Sequence, residues 1–110
     1  MGISTHILDT TRGRPAAGVE VTLERAGDGG WSAIGRDSTD DDGRVKALMT
    51  ESPAPGTYRI HFAVGAWFEA QQVDAFYPEV TIAFRVARAG EHFHVPLLLN
   101  PFGFTTYRGS

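Results

Sequence analysis

The 110-residue chain has no cysteine, which excludes disulfides, thiolate nucleophiles and zinc sites that need sulfur. No apolar run approaches the roughly 20 residues a membrane helix requires. Basic charge is short as well: ten Lys+Arg stand against thirteen Asp+Glu, a net charge of −3. That balance leaves no electrostatic footprint for nucleic acid or an anionic membrane. The opening Met1-Gly2-Ile3-Ser4-Thr5-His6 lacks a basic stretch followed by an apolar one, so no secretory signal is read there. His6 also stands where a myristoylation pattern wants Ser or Thr. The expectation is a cytoplasmic protein with no membrane and no nucleic-acid partner. The length favours one domain, 1–110, held by its core alone. Hydrophobic residues at 42% and charged ones at 21% suit such a domain and exclude a disordered chain.

What is present is period-two alternation. Val19, Val21 and Leu23 alternate with Glu20, Thr22 and Glu24; Ile60, Phe62 and Val64 with Arg59, His61 and Ala63; Val80, Ile82, Phe84 and Val86 with Thr81, Ala83 and Arg85. Side chains on a strand point alternately to opposite faces, so each segment reads as a strand with one buried face. Weaker versions occupy residues 3–9, 32–38, 44–49, 92–99 and 103–108. Glycine- and proline-bearing turns separate them, and Asp42-Gly43 reads as a two-residue hairpin turn. About eight short strands argue for an all-β fold, an antiparallel sandwich or barrel. The one helical segment is Ala66 to Val73, where Trp67, Ala70 and Val73 share a face.

Several chemistries are absent. Asp40, Asp42 and Gly43 resemble part of a calcium loop, but Ser38 and Met49 occupy its first and last ligand positions. Gly27-Asp28-Gly29-Gly30 is not a dinucleotide fingerprint, because Ser32 replaces the third glycine and no helix opens there. No P-loop, nucleophile elbow or His-Glu-x-x-His helix occurs.

Histidine and arginine on strands remain. His92 and His94 are two apart and share a face; Ser4, His6 and Leu8 share another; Arg44 follows the Asp42-Gly43 turn. Strand-borne histidines can bind zinc through neutral imidazoles. They can equally serve as general base and acid, since histidine titrates near pH ~6.5, or simply sit on a solvated face. His61, flanked by exposed-pattern residues, belongs with that last case.

Three stretches carry a family resemblance. Ser4-Thr5-His6-Ile7-Leu8-Asp9-Thr10 continues through Gly13, Pro15, Ala16 and Gly18-Val19. Thr39 to Arg44 contains Asp42-Gly43-Arg44. His92-Phe93-His94-Val95-Pro96-Leu97-Leu98-Leu99 runs on to Tyr107-Arg108-Gly109-Ser110. Together they resemble the transthyretin-related 5-hydroxyisourate hydrolases over nearly the whole chain. The closing tetrapeptide is the most specific part, because hormone-carrying transthyretins lack it. The resemblance implies a transthyretin-like two-sheet antiparallel β-sandwich of about eight strands with one short helix. It implies a homotetramer, a dimer of dimers with active sites at the dimer–dimer interface, and no metal or organic cofactor. It also implies a small purine-derived substrate. By match to the family's motifs, His6, Arg44 and His94 are catalytic, and Tyr107, Arg108, Gly109 and Ser110 bind substrate. Phe93, Phe102 and Phe104 stand where the family commonly has tyrosine, and Asn100 and Thr105 where it commonly has serine. The competing expectation is a non-catalytic carrier of a small aromatic ligand in a transthyretin-like channel.

Overall fold

The computed structural model describes residues 2–110. Its elements run β1 (Ile3–Asp9), β2 (Arg14–Pro15), β3 (Glu20–Gly27), β4 (Gly30–Ser38), β5 (Arg44–Met49), β6 (Gly56–Phe62), α1 (Val64–Glu69), β7 (Val80–Val86), β8 (Phe93–Asn100) and β9 (Gly103–Thr106). One sheet has the order β2-β1-β8-β9, with β5 also paired to β1; the other has the order β4-β3-β6-β7. The alternating residues explain the layers. Ile3, Ile7, Phe93, Val95, Leu97 and Leu99 from the first sheet meet Val21, Leu23, Tyr58, Ile60 and Phe62 from the second in one buried cluster. At about 25 cal/mol per Å² of apolar surface removed from water, this burial is what a chain without covalent staples must rely on.

About eight strands are expected and nine form among the described residues, the extra one being the two-residue β2 paired with the C-terminal end of β1. Three expectations are corrected. The sandwich is not wholly antiparallel: β1 and β8 run parallel over seven residue pairs, from Ile3↔Phe93 to Asp9↔Leu99. Every other pairing between strands is antiparallel. Parallel neighbours need a long crossover, and here the whole second sheet lies between them in sequence. Alternation shows which face a residue takes; strand direction does not register in it.

Asp42-Gly43 does form a tight turn, with the Gly43 N–H donating to the Asp40 carbonyl at 2.9 Å. It joins β4 to β5, which lie in different sheets, so it is a crossover and not a hairpin. The two-residue hairpin turns are Asp28-Gly29, closed by the Gly27↔Gly30 pair, and Pro101-Phe102, closed by Asn100↔Gly103.

The helix starts and ends earlier than 66–73. Its buried stripe is Val64 and Phe68, four apart. It stops because Gln72 adopts a left-handed conformation, φ 59°. The Gln72 N–H bonds the Glu69 carbonyl and the Val73 N–H bonds the Phe68 carbonyl. This is a Schellman closure. Trp67 and Val73 still pack against the core, Val73 from beyond the helix end.

The turn before β5 positions one residue of interest. Asp40 Oδ1 accepts from the Asp42 and Arg44 amides at 2.9 and 3.0 Å. The Gly43 carbonyl accepts from the Ile7 N–H at 2.8 Å. Gly43 has φ +74°, and a Cβ there would run into the Ile7 carbonyl and Pro15. Gly43→Ala is therefore expected to lower folding stability by at least ~1–3 kcal/mol, the usual range for a non-glycine residue forced into that region. Urea denaturation checks it; an unchanged midpoint would show that the turn relaxes freely.

Candidate active site

The outward face of the first sheet collects polar groups at two-residue spacing. From β1 come Ser4 and His6, from β5 Arg44 and Lys46, and from β8 His94. His6 stands directly opposite Arg44 across the antiparallel pair. Ser4 stands directly opposite His94 across the parallel pair. The register thus makes a two-by-two patch from residues as much as 90 positions apart. Ser4, Thr5, Arg44, Lys46, His92, His94 and Ser110 line one open cavity of about 240 Å³.

Hydrogen bonds hold part of this patch rigidly. The Ser4 hydroxyl, 7% exposed, lies 2.8 Å from His94 Nδ1 and 3.0 Å from His92 Nε2. His92 Nδ1 accepts from the Gly2 amide at 3.3 Å. The chain end folds back so that the Gly109 N–H donates to the His94 carbonyl at 2.8 Å. A Cβ at Gly109 would come within 2.5 Å of the His94 ring. Glycine at that position is what lets the last residues approach.

Not every residue expected to bind substrate lies in this cavity. Ser110 does. Gly109 backs onto His94 through its main chain. Tyr107 and Arg108 instead line an adjoining, more apolar crevice with Ile82, Phe84, Phe93 and Val95, and His94 borders both. The Arg108 guanidinium donates to Glu91 at 2.9 Å and sits 4.6 Å from the centre of the Phe93 ring. His6 borders the cavity from the next position along β1 rather than lining it. Ser4, Lys46 and His92 are cavity residues that the motif match leaves out. Each is two residues from a matched one, so strand periodicity alone points to them. His61 pairs with Glu79 on the other sheet, away from this cavity.

The electrostatics are those of a cationic face. His94 has its pKa lowered, first by burial and then by the charges of Arg44, His6 and His92. Both effects favour the neutral imidazole over the imidazolium. Among the described residues, no group of three or more His, Asp or Glu side chains is arranged to hold a metal ion.

A two-sheet sandwich of this topology, with an imidazole- and guanidinium-lined outer face, defines a transthyretin-like protein. The model of the HIUase/Transthyretin family matches residues 3–109. The chain is 50% identical over 109 residues to the 5-hydroxyisourate hydrolase of Salmonella dublin, covering 98% of this chain and 80% of that protein. The structure of Klebsiella pneumoniae 5-hydroxyisourate hydrolase overlays with a TM-score of 0.89 at 35% identity, over 100% of both chains. Sea bream transthyretin in complex with thyroxine overlays at 0.93 and 31% identity, over 99% of this chain and 95% of that one. The chain belongs to the HIUase/Transthyretin family.

The lowered His94 pKa has a defined sign. Between that value and the ordinary histidine value near 6.5, the unfolded chain holds more protons than the folded one. His94 therefore contributes stability that is present above the ordinary value and lost as pH falls through its own. The His94 ring is expected to titrate with a midpoint below about 6.5 by NMR. A midpoint at or above that value would contradict the environment described.

Proposed function

We propose that this protein is a 5-hydroxyisourate hydrolase, opening the six-membered ring of that urate-oxidation product at an amide-like C–N bond to give a carboxylated ureidoimidazoline. The observation that carries this reading is the meeting of Ser4, Arg44, Lys46, His94 and Ser110 around one cavity, with His6 beside Arg44. Hydrolysis needs water made nucleophilic, and a neutral imidazole can take its proton; positioned bases contribute ~10²–10⁴-fold. The attacked carbonyl develops negative charge, which fixed donors stabilise. His6 and His94 supply the imidazoles. Arg44 presents a planar fork of donors to a flat, electron-rich ring, and Lys46 adds charge beside it. Ser110 orients substrate or water. Gly109 carries the chain end to the site, while Tyr107 and Arg108 act from the neighbouring crevice.

The assembly belongs to the same proposal. Strands β7 and β9 are the edges of their sheets, and the apolar crevice of about 150 Å³ lies between them. Phe102 and Phe104 stand exposed at β9, at 70% and 39%. Unpaired edges beside exposed aromatics favour pairing with another copy. A homotetramer in which two dimers bring their outer faces together would close the open cavity into a site at the dimer–dimer interface. Among the described residues, no helix is long and apolar enough to cross a membrane. The carrier alternative is raised by the likeness to thyroxine-bound transthyretin. Here the lining is of imidazole, guanidinium, ammonium and hydroxyl groups, where an aromatic carrier's channel is expected to be mostly apolar.

Freshly generated 5-hydroxyisourate, followed by its near-UV absorbance, is expected to decay far faster with the protein than alone; decay at the spontaneous rate would end the hydrolase reading. His94→Ala and Arg44→Ala should each lower turnover by at least ~10²-fold while the assembly, four times 11.9 kDa, survives in light scattering. Near-wild-type turnover by a folded variant would remove that residue from the mechanism. Chelators are expected to leave activity unchanged. Loss on chelation with recovery on adding zinc would transfer the chemistry to a metal.

A further inference from the structure

We propose that Ser4 and His92 are positioning residues that hold His94 as the neutral tautomer with its proton on Nε2, so that His94 meets the substrate as a hydrogen-bond donor and His6 is the base. The inference rests on the hydrolytic reading above and divides the work between its two imidazoles.

The direction of the chain of hydrogen bonds follows from its fixed end. A backbone amide only donates. The Gly2 N–H at 3.3 Å therefore makes His92 Nδ1 an acceptor, without a proton. Gly2 is itself held in place. Its carbonyl accepts from the Phe93 N–H at 2.9 Å, and a Cβ at Gly2 would strike the Met49 carbonyl. In neutral His92 the proton is then on Nε2, which donates to Ser4 Oγ at 3.0 Å. Among the described residues the nearly buried Ser4 hydroxyl then has one acceptor left for its own proton, His94 Nδ1 at 2.8 Å, and donating there leaves no buried O–H unsatisfied. An imidazole that accepts at Nδ1 carries its proton on Nε2 when neutral. Among the described residues the one side-chain hydrogen bond of His94 is at Nδ1, and its ring lines both the polar cavity and the adjoining crevice. The group offered to substrate is thus N–H and not a lone pair.

This tautomer cannot deprotonate water from the cavity side. It can donate to a carbonyl oxygen as negative charge develops there, the electrophilic role a neutral imidazole fills when its pKa is held down. The lowered pKa of His94 and the adjacent Arg44 agree with that role. The base is then His6. It takes a proton from water as the water oxygen bonds the carbonyl carbon. It returns that proton to the ring nitrogen as the C–N bond breaks, while Arg44 and His94 Nε2–H hold the oxyanion between the two steps. No proton leaves His94, and none is left over.

The test is long-range 1H–15N correlation on histidine-labelled protein, with turnover measured alongside. In the wild type above pH ~7.5, well past the ordinary histidine pKa, His94 is expected to show a protonated Nε2 and an unprotonated Nδ1. Ser4→Ala should mix the two tautomers and lower kcat on the order of 10–100-fold, the usual cost of removing an orienting partner, with KM within about threefold. His92→Gln keeps an N–H donor toward Ser4 and should retain most activity. His92→Phe removes the donor and should behave like Ser4→Ala. A protonated Nδ1 in the wild type overturns the proposal, as does Ser4→Ala with unchanged kcat or an unchanged His94 tautomer. The tautomer is read without substrate. A wild type that shows the expected tautomer but opens no ring would therefore refute the hydrolase reading and leave the hydrogen-bond chain standing.

Discussion

The in-register parallel pairing of β1 with β8 is the constraint on which the rest depends. It sets Ser4 against His94 and keeps Ile3, Ile7, Phe93, Val95 and Leu97 on the inner face. A slip of one residue would turn each strand's apolar set outward and its polar set into the core. The core thus enforces the register, and the register enforces the site. Neither imidazole needs a dedicated loop, because both stand on strands whose opposite faces are buried. Groups mounted on packed strands are held more closely than groups on loops.

The second sheet contributes indirectly. It supplies the other half of the core, and its last strand before the crossover delivers the chain through the Asp40–Gly43 turn into β5. Asp40, fully exposed, still has its carboxyl held below the usual range, chiefly by the Arg44 amide. That turn ties the main chain of Arg44 while the Gly43 carbonyl ties the turn to β1. Arg44 is thereby placed opposite His6 by main-chain bonds, and among the described residues no ion pair draws its guanidinium away; Arg108, by contrast, is engaged by Glu91. A cationic face with its arginine uncommitted suits an anionic or electron-rich ligand.

Legibility in the sequence follows what period two can and cannot encode. Buried faces were plain in Val21/Leu23 and Ile60/Phe62, and the outward set Ser4/His6 and His92/His94 was plain by the same rule. In β7 the rule overstates burial: Ile82 and Phe84 are only half-buried, because an edge strand's inner face is covered on one side only. Strand direction, the sheet to which β5 belongs and the left-handed stop at Gln72 were not legible. They arise from pairings and backbone closures between residues far apart or without a distinctive side chain. The matched residues His6, Arg44, His94 and Ser110 needed the family's motifs as well, since alternation alone cannot separate a working histidine from a solvated one. The same motifs did not separate Ser110, which faces the cavity, from Tyr107 and Arg108, which face the crevice.

Fold likeness cannot by itself decide between hydrolysis and carriage, because the core that defines the sandwich is built from inward residues and the function is built from outward ones. Inward and outward positions alternate on the same strands, so the outer set can change without disturbing the inner packing. Replacing Ser4, His6 or His94 with apolar side chains would leave Ile3, Ile7 and Val95 where they are and convert a polar cleft into an apolar one. What distinguishes this member of its family is therefore the chemistry of about half a dozen outward side chains on β1, β5 and β8 and at the chain end. Their donors and acceptors form a set that an apolar ligand would leave unsatisfied, and buried polar groups without partners are costly. A substrate with ring carbonyls and N–H groups satisfies them.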